Sequence, residues 1–60
     1  MKIIKRIYRK GWNNPVIVIT EEKSGYMIHA LAGGNGYFAE GCYTDLAECI
    51  KVSEEKASKY

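Results

Sequence analysis

The chain contains few of the residues from which small proteins build covalent or metal-based frameworks. Its 60 residues include one proline, one histidine (His29) and two cysteines, Cys42 and Cys49. A secreted domain of this length normally carries more cysteines, so the sequence does not predict a disulfide-rich scaffold. One histidine and two cysteines without a C-x-x-C pair also do not complete a zinc site. We therefore expect no metal ion and no other cofactor. We interpret both cysteines as buried thiols, with a disulfide between them as the alternative.

Long hydrophobic runs are also missing from the sequence. No apolar segment approaches the roughly 18 residues that a membrane-spanning helix requires. The basic N-terminal segment MKIIKRIYRK lacks the apolar core of a signal peptide. We therefore expect a soluble, cytoplasmic protein without a membrane partner. Residues 1–60 are too few for more than one domain, and such a small domain often gains stability from a second subunit.

Basic and acidic residues are concentrated at opposite ends of the chain, although the formal net charge is only +2. Five of the nine Lys and Arg residues lie in the first ten positions: Lys2, Lys5, Arg6, Arg9 and Lys10. Five of the seven acidic residues lie from position 40 onward: Glu40, Asp45, Glu48, Glu54 and Glu55. The sequence therefore predicts a molecule with a basic end and an acidic end.

The residue pattern predicts an α+β fold. Runs rich in β-branched and aromatic residues indicate strands over residues 2–10, 16–20, 26–32 and 37–42, with glycine, proline and asparagine between them. After Thr44 or Asp45, either of which can cap a helix, the spacing of apolar residues becomes helical. The helical stripe consists of Leu46, Cys49, Ile50 and Ala57, with Ser53 between them. We predict an antiparallel β-meander of three to four strands followed by one C-terminal α-helix packed on one face.

The glycine-rich segment 33–36 is interpreted as a hairpin turn. Residues 34–39 match the G-x-G-x-x-[GA] pattern of dinucleotide-binding loops. In such a site a helix begins directly after the glycines, whereas here a strand follows and the helix starts several residues later. Either Gly34-Asn35 or Asn35-Gly36 would supply the two central residues of a tight turn.

A two-residue turn in this segment predicts which side chains share a face of the sheet. With Gly34-Asn35 as the turn, Leu31 lies opposite Phe38, His29 opposite Glu40 and Met27 opposite Cys42, all on one face. The other face carries Tyr26, Ile28, Ala30, Ala32, Tyr37, Ala39, Gly41 and Tyr43. Because this second face has small central residues, we expect the helix to cover it. The first face then remains open, with Ile17 or Val18 adding to its apolar surface; the reverse assignment would leave the Tyr26 face open.

An open apolar face on so small a domain indicates docking onto a protein partner or a second copy. The predicted protein-binding residues are Met27, His29, Leu31, Phe38 and Glu40. We interpret His29 and Glu40 as a polar pair rather than a catalytic pair, because one helix and a small sheet enclose little volume for a substrate. The predicted function is that of a non-enzymatic interaction protein. Short single-domain chains are typical of phage and mobile-element genes, so an inhibitor of a host machine, such as a defence system, is the concrete form of this hypothesis.

The alternative hypothesis is a nucleic-acid-binding regulator that uses the basic N-terminal strand. Its predicted contacts are Lys5, Arg6, Arg9 and Lys10 to phosphates, with Trp12 stacking on bases. The segment Gly41-Cys42-Tyr43-Thr44, followed by a helix with Ala47 and Ala57, resembles AP2-type and integrase arm-binding DNA domains. The resemblance implies a sheet-plus-helix architecture. Those families present Arg and Trp from the sheet, and residues 16–42 contain neither, so the resemblance assigns no site residues here.

Overall fold

The protein is a four-stranded antiparallel sheet with one helix against it, in a computed structural model that describes residues 2–34 and 36–60. The strands are β1 (Lys2–Ile7), β2 (Ile17–Glu22), β3 (Gly25–Leu31) and β4 (Tyr37–Tyr43), followed by α1 (Leu46–Ala57). They lie side by side in chain order, each antiparallel to the next. The predicted α+β meander with a C-terminal helix is confirmed.

Alternation of side chains along β2 and β3 creates the core. Ile17, Ile19 and Ile28 are fully buried on one face, together with Ala30. Helix α1 packs on this face through Cys49, Ser53 and Ala57, whose small side chains allow close approach. Burial of each isoleucine contributes about 1.5–3 kcal/mol. The helix therefore covers the expected face of β3, which carries Ile28 and Ala30.

The helix begins at a side-chain cap. The Asp45 carboxylate accepts a hydrogen bond from the backbone N–H of Ala47, with Oδ1 and N 2.9 Å apart. Of the two predicted caps, Thr44 and Asp45, the structure uses Asp45. The cap fixes the point at which the extended chain of β4 turns into α1.

The hairpin between β3 and β4 differs from the expected one. The Ala32 N–H donates to the Gly36 carbonyl over 2.8 Å, so three residues rather than two lie inside the loop. One of them, Asn35, was predicted as a turn residue and lies outside the described residues. The odd loop shifts the pairing by one residue, which gives Leu31 opposite Tyr37, Ala30 opposite Phe38 and His29 opposite Ala39.

A bulge in β4 restores the expected register beyond this point. Between His29 and Ile28 on β3, the pairing partner moves from Ala39 to Gly41, which leaves Glu40 as the extra residue. Met27 lies opposite Cys42, as predicted. The predicted pairs of Leu31 with Phe38 and of His29 with Glu40 are wrong, because loop length sets strand register.

The corrected register exchanges the faces of the first half of β4. Tyr37 and Ala39 now share the face of His29, opposite the helix. Phe38 shares the face of Ala30, on the helix side, where it remains 48% exposed. Glu40 also points to the helix side, since its Oε1 atom lies 2.7 Å from Nζ of Lys56.

Gly25 follows the two-residue turn of the β2–β3 hairpin and has a φ of +147°. A Cβ at this position would clash with the carbonyl oxygen of Tyr43, on the neighbouring strand β4. Glycine is therefore required both by its own backbone conformation and by the close approach of β4.

We expect Gly25→Ala to lower the free energy of unfolding by about 2 kcal/mol or more, measured by urea denaturation. Gly33→Ala is the matched control, because a Cβ at Gly33 meets no described atom within 4 Å. The control is expected to change stability by about 0.5 kcal/mol or less. Equal effects of the two substitutions would contradict this interpretation of Gly25.

Candidate protein-docking face

The face of the sheet opposite α1 is the candidate functional site, and we call it the open face. Strand pairing places Ile3 beside Thr20, Thr20 beside Met27 and Val18 beside His29 on this side. Tyr37 joins them from β4 through the corrected register. The open face therefore includes Ile3, Val18, Thr20, Met27, His29 and Tyr37, and the same pairing adds the exposed residues Arg6, Ala39 and Cys42. Helix α1, the one helix in the described part of the chain, lies on the other side.

A shallow apolar groove runs across the open face between Ile3 and Tyr37, with Val18 in its floor. Ile3 is 44% exposed and Tyr37 is 39% exposed, so both offer large apolar surfaces to a partner. The Tyr37 hydroxyl donates to the carbonyl oxygen of Pro15 over 2.7 Å. This hydrogen bond holds the ring in one orientation at the rim of the groove.

A hydrogen-bonded chain of three polar side chains lies in the same face. The Thr20 hydroxyl donates to Oε2 of Glu22 over 2.7 Å, and it lies 2.9 Å from Nε2 of His29. A hydroxyl has one proton, and here the carboxylate accepts it. Nε2 of His29 must therefore carry a hydrogen and donate it to Thr20. The network fixes the imidazole while Thr20 remains only 3% exposed.

The structure brings together only part of the predicted protein-binding set. Met27 and His29 lie on the open face, as expected. Phe38 and Glu40 lie on the helix side, and the predicted contact between His29 and Glu40 is replaced by the ion pair of Glu40 with Lys56. Leu31 is half-buried and packs against the core, and its carbonyl oxygen accepts a hydrogen bond from the Tyr60 hydroxyl over 3.0 Å.

Sequence reasoning did not place Ile3 and Tyr37 on this face. The sequence left open whether Ile17 or Val18 joins this face, and the structure places Val18 there, because Ile17 is fully buried on the other side. Ile3 joins that side because β1 contains a bulge between Ile3 and Lys5, which a residue pattern does not reveal. Tyr37 joins it because the hairpin loop has an odd number of residues.

The basic residues near the N-terminus do not form one surface. The strand that was expected to continue to residue 10 ends at Ile7, and Arg9 turns toward the end of α1. Its Nη1 atom lies 3.4 Å from the carbonyl oxygens of both Ala57 and Ser58. A cation at a helix C-terminus satisfies the last carbonyl groups and favours the helix dipole. Arg9 therefore has a structural role, while Arg6, Lys10 and Trp12 remain exposed and Lys5 is half-buried.

The two cysteines have different environments, and neither forms a disulfide. Cys49 is buried in the core, where desolvation raises the pKa of its thiol and the neighbouring Ser53 side chain acts more weakly in the opposite direction. Cys42 is exposed on β4, so the interpretation of both cysteines as buried thiols is wrong for Cys42. Within residues 2–34 and 36–60, no three His, Cys, Asp or Glu side chains are arranged to hold a metal ion.

Comparison of the chain with models of known protein families, with curated proteins and with solved structures finds no match. The described part of the chain contains no helix that is long and apolar enough to cross a membrane.

We expect a thiol reagent such as Ellman's reagent to modify Cys42 in the native protein at least about 100-fold faster than Cys49. Burial and a raised pKa both reduce the amount of reactive thiolate at Cys49. In the variant Cys42→Ser, rapid labelling should disappear and return only in urea. Rapid labelling of native Cys42→Ser would show that Cys49 is accessible.

Proposed function

We propose that this protein is a non-enzymatic interaction protein that docks its open face onto a protein partner. The observation that carries the proposal is the exposed apolar groove between Ile3 and Tyr37 on a sheet face that no helix of the described chain covers. Tyrosine is among the residues that contribute most to protein binding, and Ile3 adds exposed apolar area beside the groove. His29 adds a polar group with a fixed orientation, which favours one arrangement of the partner.

Because the molecule is small, a partner of ordinary interface size would cover most of the open face. Each partner in a standard protein complex contributes about 800 Å², which is about a fifth of this protein's accessible surface of 4131 Å². A contact of that size takes in the groove and most of the surrounding strands. Because the groove is shallow, we expect a partner with a flat or gently convex surface rather than an inserted side chain.

The polar network supports a binding role over a catalytic role. A hydroxyl nucleophile needs an exposed oxygen and a histidine base that an acidic residue orients. Here the acid, Glu22, accepts from the hydroxyl itself, and Thr20 is buried beneath the face. The arrangement holds His29 in place and leaves no free hydroxyl for attack. The concrete form of the proposal is a phage or mobile-element inhibitor that blocks a host machine by covering part of its surface.

We expect Ile3→Glu to abolish capture of the partner from an extract of the native host, because the new charge would lie in the apolar contact. Phe38→Glu is the matched control: Phe38 is also a large exposed side chain, 48% against 44% for Ile3, but it lies on the opposite side of the sheet. Wild type and the control should retain the same protein in a fixed ratio, identified by mass spectrometry. Circular dichroism would verify that both variants are folded.

If Ile3→Glu binds the partner with wild-type affinity, the open-face proposal is wrong. The proposal is also contradicted if Phe38→Glu alone loses binding to the partner. This binding is measured with the isolated partner, at concentrations where the protein and the partner are each monomeric. The pair of variants therefore separates the open face from the helix side of the sheet.

Nucleic-acid binding is the second candidate function, supported by exposed aromatic side chains next to exposed cations. Tyr8 and Trp12 are exposed in the loop between β1 and β2. Lys10 is exposed in the same loop, and Arg6 is exposed near the end of β1. Aromatic rings and cations of this kind can stack on bases and contact phosphates of a single strand. The capping role of Arg9 removes one of the predicted phosphate contacts.

The fluorescence of Trp12, the one tryptophan in the sequence, provides the test of this second function. If a single-stranded oligonucleotide binds there, titration should quench Trp12, and affinity should fall steeply as salt increases. Lys10→Glu should weaken that binding, whereas Lys51→Glu on the helix is the charge-matched control. Our main proposal predicts no quenching at physiological salt and a partner affinity that is nearly independent of salt.

A further inference from the structure

The two edge strands of the sheet differ in their protection against pairing with another strand. Strand β1 carries three cations in six residues, Lys2, Lys5 and Arg6, and contains a bulge. Charges and bulges of this kind are the usual protection of an exposed sheet edge. Strand β4 also contains a bulge, but Glu40 is its single charged residue and Lys56 neutralises it from the helix. The β4 edge is therefore less protected by charge than the β1 edge.

Strand β4 is also unusually exposed for a strand with few charges. Five of its seven residues are exposed: Tyr37, Phe38, Ala39, Glu40 and Cys42. The bulge at Glu40 interrupts the strand and leaves Tyr37–Ala39 as a regular segment with Phe38 at its centre. Backbone N–H and C=O groups along such an edge can pair with those of another strand.

We propose that β4 pairs antiparallel with β4 of a second copy of this chain, about a two-fold axis close to Phe38 and normal to the sheet. The product is a continuous eight-stranded sheet with both helices on one face. A two-fold axis makes the contact self-complementary, because β4 of each copy pairs with β4 of the other copy. This proposal concerns the sheet edge and does not depend on the open-face function.

The positions of the helices permit this arrangement. Helix α1 contacts β2, β3 and β4, and so lies over β3. In the dimer the two β3 strands are three strand spacings apart, which is about 14 Å. Packed helices approach to about 8–10 Å, so the two copies of α1 do not clash and a narrow valley remains between them.

The side chain of Phe38 would fill this valley. It lies in β4 on the helix side of the sheet and is 48% exposed, although most large apolar side chains on that side are buried or half-buried in the core. Near the two-fold axis, the two copies of Phe38 come together on the floor of the valley and bury one another. The dimer therefore accounts for an exposed aromatic residue on the covered side of the sheet.

The charged β1 edge limits the assembly to two copies. After β4 pairs with β4, the outer edges of the eight-stranded sheet are both β1, and each carries Lys2, Lys5 and Arg6. Repulsion between these cations opposes further pairing. A closed dimer, rather than a growing fibre, is the expected product. The two open faces then become continuous on the side away from the helices.

Sedimentation of the purified wild-type protein over a range of concentrations is the first experiment. We expect a monomer–dimer equilibrium without larger species. Phe38→Glu should weaken dimerisation at least about 100-fold, because the residue occurs twice in the symmetric contact. Ile3→Glu, on the open face and the opposite edge, should dimerise like wild type. Hydrogen exchange in the wild type should show slower exchange in β4, and not in β1, as concentration increases.

The pairing of β4 with β4 is overturned if the wild type stays monomeric up to about 1 mM. It is also overturned if association continues beyond the dimer. Association that Ile3→Glu removes and Phe38→Glu does not would assign self-contact to the open face instead. If both variants lose association, hydrogen exchange in the wild type decides. Exchange in β4 that slows as concentration increases supports the edge pairing, and exchange that does not slow overturns the edge pairing. The partner-capture experiment remains interpretable in each case, since it measures contact with a foreign protein.

Discussion

The packing of α1 on one face of the sheet is the interaction on which the rest of the molecule depends. Ile17, Ile19 and Ile28 lose all contact with water there, against the small side chains of Cys49 and Ser53. The one helix in residues 2–34 and 36–60 can cover only one side of the sheet. The apolar residues that alternate to the other side are left exposed, so the same packing that stabilises the fold also creates the open face.

The odd-numbered hairpin loop is the second constraint, and it distributes the aromatic residues of β4. A three-residue loop places Tyr37 on the open face and Phe38 on the helix side, and the bulge at Glu40 then places Gly41 opposite Ile28. A Cβ on Gly41 would lie 3.2 Å from the Tyr43 ring, so the glycine makes room for that ring. The bulge thus reconciles the loop with the core and leaves two aromatic side chains on two different surfaces.

These two surfaces have separate roles in the functional proposals. The open face offers a shallow apolar groove with a fixed imidazole, which suits a foreign protein surface. The β4 edge offers unpaired backbone groups beside Phe38, which suit another strand. The charge distribution keeps these roles apart, since the cations of β1 protect the opposite edge while Arg9 is engaged at the end of α1. Edge pairing would double the length of the open face without covering it.

Patterns that repeat over neighbouring residues were predictable from the sequence. The β-branched run at 16–20, the helical spacing at 46–57 and a cap at Thr44 or Asp45 depend on nearby residues, and they predicted the fold class. The small residues of β3 and β4 predicted the face of β3 that α1 covers, but the sequence left open whether Ile17 or Val18 lies in the core. Other features depend on contacts between distant residues. Arg9 meets a carbonyl 48 positions away, and the bulges in β1 and β4 respond to the strands beside them. Only the tertiary structure therefore decided that Ile3 and Tyr37 join the open face while Phe38 leaves it, because register is set by loop geometry and packing together.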